Sequence, residues 1–306
     1  MNKVSIIIPV YNEEANVKDL FNEISTIGLE DYEIIFVNDG STDNTLNRLK
    51  EIDGIKIVSL RKNYGQTASI QAGFDASTGD VIITMDGDLQ NDPHDIPNLI
   101  NKLNEGYDLV CGWRKNRKDP LIKKLISRGA NRLRKVFLHD RVHDSGCTLR
   151  AYTKQVASSF NLYGELHRFI PALTEIEGYK VTEMVVNHRP RVKGVTKYNG
   201  RRIIKAMADL ISVWFYRKFS NRPLHLFGGL GVILIFLGFI LGLYLFIARI
   251  LGVIILSDKI WPLIDVLILF TGVQLLVSGL IADIAIKGFK STNKEKPYKI
   301  KEIIEK

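Results

Sequence analysis

The sequence predicts an α/β domain with a mostly parallel sheet, followed by a C-terminal hairpin of two transmembrane helices. Two observations predict it. Through the first 110 residues, short β-branched runs alternate with stretches of helical periodicity, and apolar strands separated by helices imply a parallel sheet covered on both faces. Farther on, Leu224 to Ile247 is a run of 24 residues without a charge, enough to cross a hydrocarbon core of about 30 Å as a helix. Ile260 to Ile286 follows with only Asp265 and Asp283.

In chain order, Val4–Val10, Glu33–Val37, Lys56–Leu60 and Val81–Met85 read as buried strands. Glu14–Ile27, Thr42–Ile52, Gln66–Ala76 and Pro93–Asn104 read as the helices between and after them, and Asp108–Cys111 as a further strand. Asp39-Gly40-Ser41-Thr42-Asp43 is turn and N-cap chemistry ahead of Leu46 and Leu49 at helical spacing. Asn116–Leu138 is basic and amphipathic, and Arg201–Phe219 runs into aromatic and cationic residues just ahead of the first span. Both suit the headgroup layer of an anionic leaflet. The expected organisation is a domain over 1–200, a juxtamembrane helix over 201–222, two spans over 223–288 and a loosely ordered basic tail over 289–306.

Charge divides the 306 residues the same way. Residues 1–110 carry 8 Lys+Arg against 19 Asp+Glu, residues 111–222 carry 25 against 8, and residues 223–306 carry 9 against 6. An acidic front and a basic middle suggest different ligands for the two parts, or one face turned to an anionic surface. Lys and Arg crowd the outer flanks of the hairpin, while its connecting loop has only Arg249 and Lys259. The positive-inside rule then expects both termini and the front domain in the cytosol of a two-span membrane protein. Val4–Val10 is too short for a signal peptide, and Cys111 and Cys147 read as cytosolic thiols without a disulfide. His139 and His143 have helical spacing but no third ligand nearby, so they read as non-metal residues. Nucleic acid is disfavoured as a partner because the basic segment adjoins a membrane anchor. Gly228, Gly229, Gly231, Gly238 and Gly242 permit close helix packing, which leaves a homo-oligomer through the spans open.

The chemistry gathers at strand ends. Pro9-Val10-Tyr11-Asn12-Glu13 closes the first strand, Asn38-Asp39-Gly40-Ser41 the second, and Asp86-Gly87-Asp88-Leu89-Gln90 the fourth. Parallel strands end on one side, so these groups share the crevice where open α/β sheets bind ligands. Paired carboxylates there suit Mg2+ or Mn2+ carrying a diphosphate. No Gly-x-Gly-x-x-Gly follows the first strand and no Gly-x-x-x-x-Gly-Lys-Ser/Thr occurs, which disfavours a dinucleotide fold or a P-loop.

These ordered motifs resemble the inverting family 2 glycosyltransferases of the GT-A fold. Asp144-Ser145-Gly146-Cys147-x-Leu149-Arg150, His167-Arg168-Phe169-Ile170-Pro171 and Arg191-x-x-Gly194-x-Thr196-Lys197-Tyr198 are similar to the polyprenyl-phosphate sugar transferases within it, the dolichol-phosphate mannosyltransferases and bactoprenol glucosyltransferases. Arg222-Pro223-Leu224 and the two-helix hairpin fit that subgroup, and the Gln-x-x-Arg-Trp motif of processive synthases is missing.

The resemblance implies a nucleotide-sugar donor held at Pro9, Tyr11, Glu13 and Asp39, with Asp86, Asp88 and Gln90 at the metal and diphosphate. It places Arg114 and Arg128 at the acceptor lipid phosphate, Arg191 and Lys197 in an active-site loop, and Asp144 as a third acid of the same crevice. The implied reaction is metal-dependent, inverting transfer of a hexose, of the GDP-mannose or UDP-glucose class, to a polyprenyl or dolichyl phosphate in the bilayer. A phosphate monoester is mostly ionised at pH 7, so Asp144 is expected to orient the acceptor or balance the arginines more than to remove a proton. The rivals are a sugar-nucleotide nucleotidyltransferase and a non-catalytic membrane adaptor that binds anionic lipid. The first lacks its Gly-rich loop, and the second has no use for a metal-diphosphate crevice.

Overall fold

The first strand, β1 (Val4–Val10), sets the layering of the domain. Ile6, Ile7 and Ile8 are all fully buried, yet alternate residues of a strand point to opposite faces. Ile6 and Ile8 pack with α1 (Val17–Ser25), α2 (Thr45–Lys50) and α4 (Ile96–Asn104), through Val17, Leu20, Leu49, Ile96 and Leu99. Ile7 packs on the other face with α3 (Gln66–Ala76), α5 (Lys154–Ser159) and α6 (Ile170–Ile176), through Ile70, Phe74, Val156 and Ile170. This is a computed structural model, and it describes residues 3–115, 142–190, 213–215, 218–219, 223–253, 260–292 and 296–305.

Among the described residues the sheet has eight strands. They are β1, β2 (Tyr32–Asn38), β3 (Ile55–Leu60), β4 (Val81–Thr84), β5 (Leu109–Trp113), β6 (Arg150–Thr153), β7 (Val181–Val185) and β8 (Ile300–Glu305), in the order β7-β5-β6-β4-β1-β2-β3-β8. The block β4-β1-β2-β3 is parallel, as is β5 with β7, while β6 and β8 run antiparallel to their neighbours. The expected parallel core is therefore present, within a mixed sheet whose mostly parallel character comes from its centre. Three of the expected helices, α1, α2 and α4, start later or end sooner than their periodicity: Glu13 to Asn16 forms a turn tied by Asn16 Nδ2 donating to Glu13 Oε2 at 2.6 Å, and α1 begins only at Val17.

The tail differs from the expectation of a loose basic segment. Residues 296–305 return to the sheet, where β8 pairs with β3 from Lys56–Glu305 to Leu60–Ile300. Tyr298 is buried, and its hydroxyl donates to Asp75 Oδ2 at 2.6 Å. Lys50–Glu302, Lys56–Glu305 and Lys296–Asp75 ion pairs flank the seam. Strand alternation inside a charged segment made this invisible as a tail feature: Ile300 and Ile304 are half-buried while Ile303 is exposed.

A second unit, Phe215–Glu295, holds α7 (Pro223–Ile250) and α8 (Trp261–Thr292). Leu224–Ile250 and Trp261–Ala285 are both long and apolar enough to cross a bilayer, and both expose most of their side chains. The two helices meet at glycines. A Cβ on Gly231 would lie 2.6 Å from the Gly272 carbonyl oxygen, and one on Gly242 would lie 2.8 Å from Asp265 Oδ2. Gly231, Gly238 and Gly242 thus face α8 of their own chain, a Cβ on Gly228 would meet Leu224 of α7 itself, and of the five glycines only Gly229 has open space around it. Small residues that let backbones approach serve here within the hairpin.

Candidate active site

The ends of β1 and β2 are stitched together. Asp39 N donates to the Val10 carbonyl at 2.9 Å, Asn12 N to Ser41 Oγ at 3.0 Å, Thr42 N to Asn12 Oδ1 at 2.8 Å and Glu13 N to Thr45 Oγ1 at 2.9 Å. Asn12 adopts φ 53°, a left-handed conformation that asparagine tolerates better than most residues. Asp39 is buried and accepts from the amides of Tyr64 at 2.8 Å and Gly65 at 2.9 Å. Burial raises its pKa against the pull of those hydrogen bonds. Gly40 has to be glycine: φ is +64°, and a Cβ would lie 2.4 Å from the Lys62 carbonyl carbon.

At the end of β4, Gly87 lies so close to β1 that a Cβ would come within 2.6 Å of Val10 Cγ1. Leu89 takes φ 62°, a strained conformation for leucine, with its side chain in the core. Around that pin the chain folds back, and Gln90 N donates to Asp88 Oδ1 at 3.2 Å. Asp86 is held by its surroundings: its amide donates to Asn91 Oδ1 at 3.1 Å, and its Oδ1 accepts from Gln66 Nε2 at 2.7 Å. Burial, and then repulsion from Asp88, push the Asp86 carboxyl up to about 6.

Among the described residues no three His, Cys, Asp or Glu side chains form a ready metal cage. Two carboxylates with a carboxamide two positions on fit a hard divalent ion that completes its shell with water and phosphate oxygens. Such an ion would relieve both causes of the raised Asp86 value.

A second cluster borders the first. Arg114, one residue beyond β5, makes a two-pronged ion pair with Asp144, Nε to Oδ2 at 2.7 Å and Nη2 to Oδ1 at 3.0 Å. Arg114 lowers the Asp86 pKa through space, and Thr148, in the same loop as Asp144, donates from Oγ1 to Asn91 Oδ1 at 3.4 Å, the atom that also takes the Asp86 amide. Beneath them, the fully enclosed Arg150 donates to the carbonyls of His167 at 2.9 Å and Ser145 at 2.5 Å. The His167 ring meets Thr67 Oγ1 at 2.6 Å. On the outer side, His143 stacks on Trp113 at 4.5 Å between ring centroids and hydrogen-bonds Glu183 on β7. Cys111 and Cys147 are buried free thiols, and burial lifts Cys147 to about 11.

The description "Glycosyl transferase family 2" matches residues 5–160, just over half of the chain and the part that carries all these strand ends except β7. The chain belongs to glycosyltransferase family 2. Among relatives of this transferase, the dodecaprenyl-phosphate galacturonate synthase of Rhizobium johnstonii is 37% identical over 99% of this chain and 93% of its own length. The undecaprenyl-phosphate 4-deoxy-4-formamido-L-arabinose transferase of an Enterobacter species is 38% identical over 92% of this chain and 88% of its own. Its fold is that of glucosyl-3-phosphoglycerate synthase from Mycobacterium tuberculosis, solved with Mn2+, uridine diphosphate and phosphoglyceric acid. That structure gives a TM-score of 0.57 at 20% identity, over 71% of this chain and 78% of that one.

In the transferase, then, the strand ends carrying Pro9, Tyr11, Glu13, Asp39, Asp86, Asp88 and Gln90 lie side by side in the order β4-β1-β2, and Arg114, held by Asp144, is within electrostatic reach of Asp86. Arg128, His139, Arg191 and Lys197 lie outside the described residues, as do all of the Asn116–Leu138 segment and most of Arg201–Phe219. Sequence reading missed Gln66 and Asn91, which hold the Asp86 strand end, and gave Arg150 no role. Gln66 and Asn91 belong to no motif quoted from the sequence; their importance comes from contacts across 20 and 5 positions that no local pattern announces.

Proposed function

We propose that this transferase moves a sugar from a nucleotide-sugar donor to a polyprenyl phosphate, with inversion at the anomeric carbon, at the cytosolic face of a membrane. The observation that carries the reading is Arg114, ion-paired with Asp144 and within electrostatic reach of Asp86: an anion-binding group adjoins a cation-binding one, as direct displacement between a phosphate acceptor and a diphosphate leaving group requires. Relatives named for polyprenyl-phosphate products support the acceptor class.

Pro9, Tyr11, Glu13 and Asp39 hold the base and ribose. Asp39 retains acceptor capacity after accepting from Tyr64 and Gly65. Asp86, Asp88 and Gln90 would hold Mg2+ or Mn2+, which when bound supplies charge neutralisation for the departing diphosphate. Arg114, with Arg128, pins the acceptor phosphate in line with the anomeric carbon. Asp144 fixes the plane of the Arg114 guanidinium. A carboxylate committed to two guanidinium hydrogen bonds is a weak proton acceptor, and an ionised phosphate oxygen has no proton to surrender. Arg191 and Lys197 add positive charge on the acceptor side. The sugar is a hexose or a related pyranose, since the relatives are named for galacturonate and for a modified arabinose.

The two spans keep the enzyme with a substrate whose isoprenoid resists leaving the bilayer, at about 0.8 kcal/mol per buried CH2. Cationic flanks at both outer ends of the hairpin support a cytosolic position for both termini. The test is to incubate membranes containing the full chain with radiolabelled nucleotide sugars, undecaprenyl phosphate and Mn2+ or Mg2+. Label should pass into the organic phase with at least one donor. Hydrolysis of donors without any lipid-soluble label overturns the reading.

A further inference from the structure

We propose that Gln66 is a positioning residue for the metal dyad, and that it couples the nucleotide end of the donor site to the cation end. This rests on the metal reading of Asp86 and Asp88 given above. Gln66 is the first residue of α3, and its Nε2 donates to Asp86 Oδ1 at 2.7 Å. Both of its chain neighbours are fixed. On one side, the Asp39 carboxylate takes the amides of Tyr64 and Gly65. On the other, Thr67 is buried and hydrogen-bonds His167. The side chain of Gln66 therefore starts from a backbone that Asp39 sets, and ends on a carboxylate of the dyad.

The residue type matters. A carboxylate that has to receive a divalent ion needs its plane fixed without losing its charge. The carboxamide of Gln66 offers an N–H and no net charge. A lysine there would form an ion pair with Asp86 and repel the cation. A glutamate would add a third negative group and offer no donor at neutral pH. Partners that orient a metal ligand typically account for about 10–100-fold in metal affinity or activity. Asp39 acts on this arrangement from the far side, because its hold on the turn decides where α3 begins.

The experiment uses the full chain in detergent or nanodiscs and reads Mn2+ binding by water-proton relaxation, with Mn2+ alone and then with UDP or GDP added. Gln66→Met keeps the length of the side chain and removes the donor, and Gln66→Leu removes the donor with a shorter apolar chain. Both should weaken Mn2+ binding about 10–100-fold. In a transfer assay both should raise the half-saturating Mn2+ concentration by the same factor, with kcat at saturating Mn2+ within a few-fold of wild type. If either variant folds and binds Mn2+ within about two-fold of wild type, Gln66 has no such role. If the wild-type chain turns over without binding Mn2+ under any of these conditions, the metal reading of the dyad fails and takes this proposal with it.

Discussion

Arg114 and Asp144, 30 positions apart in the chain, lock together through two side-chain hydrogen bonds, and Asp144 Oδ2 also accepts from the Arg114 amide at 3.4 Å. The guanidinium and carboxylate are 10% and 18% exposed, so the pair is largely withdrawn from water. Its hydrogen bonds hold the Arg114 pKa above its ordinary value although burial works the other way.

That geometry separates the two acids proposed for the chemistry. Asp144→Asn leaves one acceptor for Arg114 and loosens its aim, and misplacement of this kind costs about 10–100-fold in rate. Asp88→Asn weakens the cation site itself, and several kcal/mol of lost charge stabilisation corresponds to about 10^3-fold. Initial rates of lipid-linked label at pH 7.5 with saturating Mn2+ should show this order. Equal losses would make Asp144 an obligatory base.

Acid should weaken the metal site. With its carboxyl raised to about 6 by burial and by Asp88, Asp86 is largely protonated at pH 5.5 and ionised at pH 7.5. In the metal-free protein, a raised acid contributes stability below its unfolded value of 3.8, and that contribution is lost as pH rises through about 6. Binding a cation restores it, and below pH 6 the cation has to displace a proton. The rise in Tm on adding Mn2+ should therefore grow from pH 5.5 to pH 7.5 and then level off. A rise that is equal at both ends contradicts the assignment.

Gly87→Ala should damage the site without unfolding the domain. The new methyl would meet Val10 Cγ1 at 2.6 Å and the Pro9 carbonyl at 3.4 Å, so β1 and β4 have to part where both reach the crevice. Overpacking of this kind costs about 1–3 kcal/mol. Denaturant titration followed by circular dichroism should record that loss, and the KM for the donor should rise.

Tyr298→Phe removes the hydroxyl that donates to Asp75 and keeps the ring among the α3 side of the core. A buried hydrogen bond to a carboxylate contributes about 1.5–3 kcal/mol, reduced here because Lys296 also pairs with Asp75 at 3.1 Å. A fall in Tm of about 3–6 °C is expected. No change would mean that the 296–305 segment adds little to the domain.

The legible part of this protein is the part written in local pattern. β1 to β4 and α3 announce themselves because a buried parallel strand is an unbroken apolar run, and α3 even matches its expected bounds of Gln66 and Ala76. The strand-end acids could be grouped because parallel topology leaves them no other place to go. β6 has four residues and includes the enclosed cation Arg150, while β7 shows half-exposed or exposed positions throughout, so neither carries an apolar signal. β8 alternates correctly but lies in a segment whose lysines and glutamates read as solvated tail. Gln66 and Asn91 were beyond reach for a different reason, since a carboxamide has a role only once its acceptor is known.

The return of the chain to the sheet bears on how this enzyme can be cut down. Ending it ahead of the hairpin, the obvious route to a water-soluble fragment, would strip the neighbour from Lys56 to Leu60 and leave the backbone donors and acceptors on that edge of β3 bare. Such a fragment would present an open, largely apolar rim that invites stacking between copies. Self-association in that preparation would report a missing seam, and joining residues 296–305 back by a short linker should cure it.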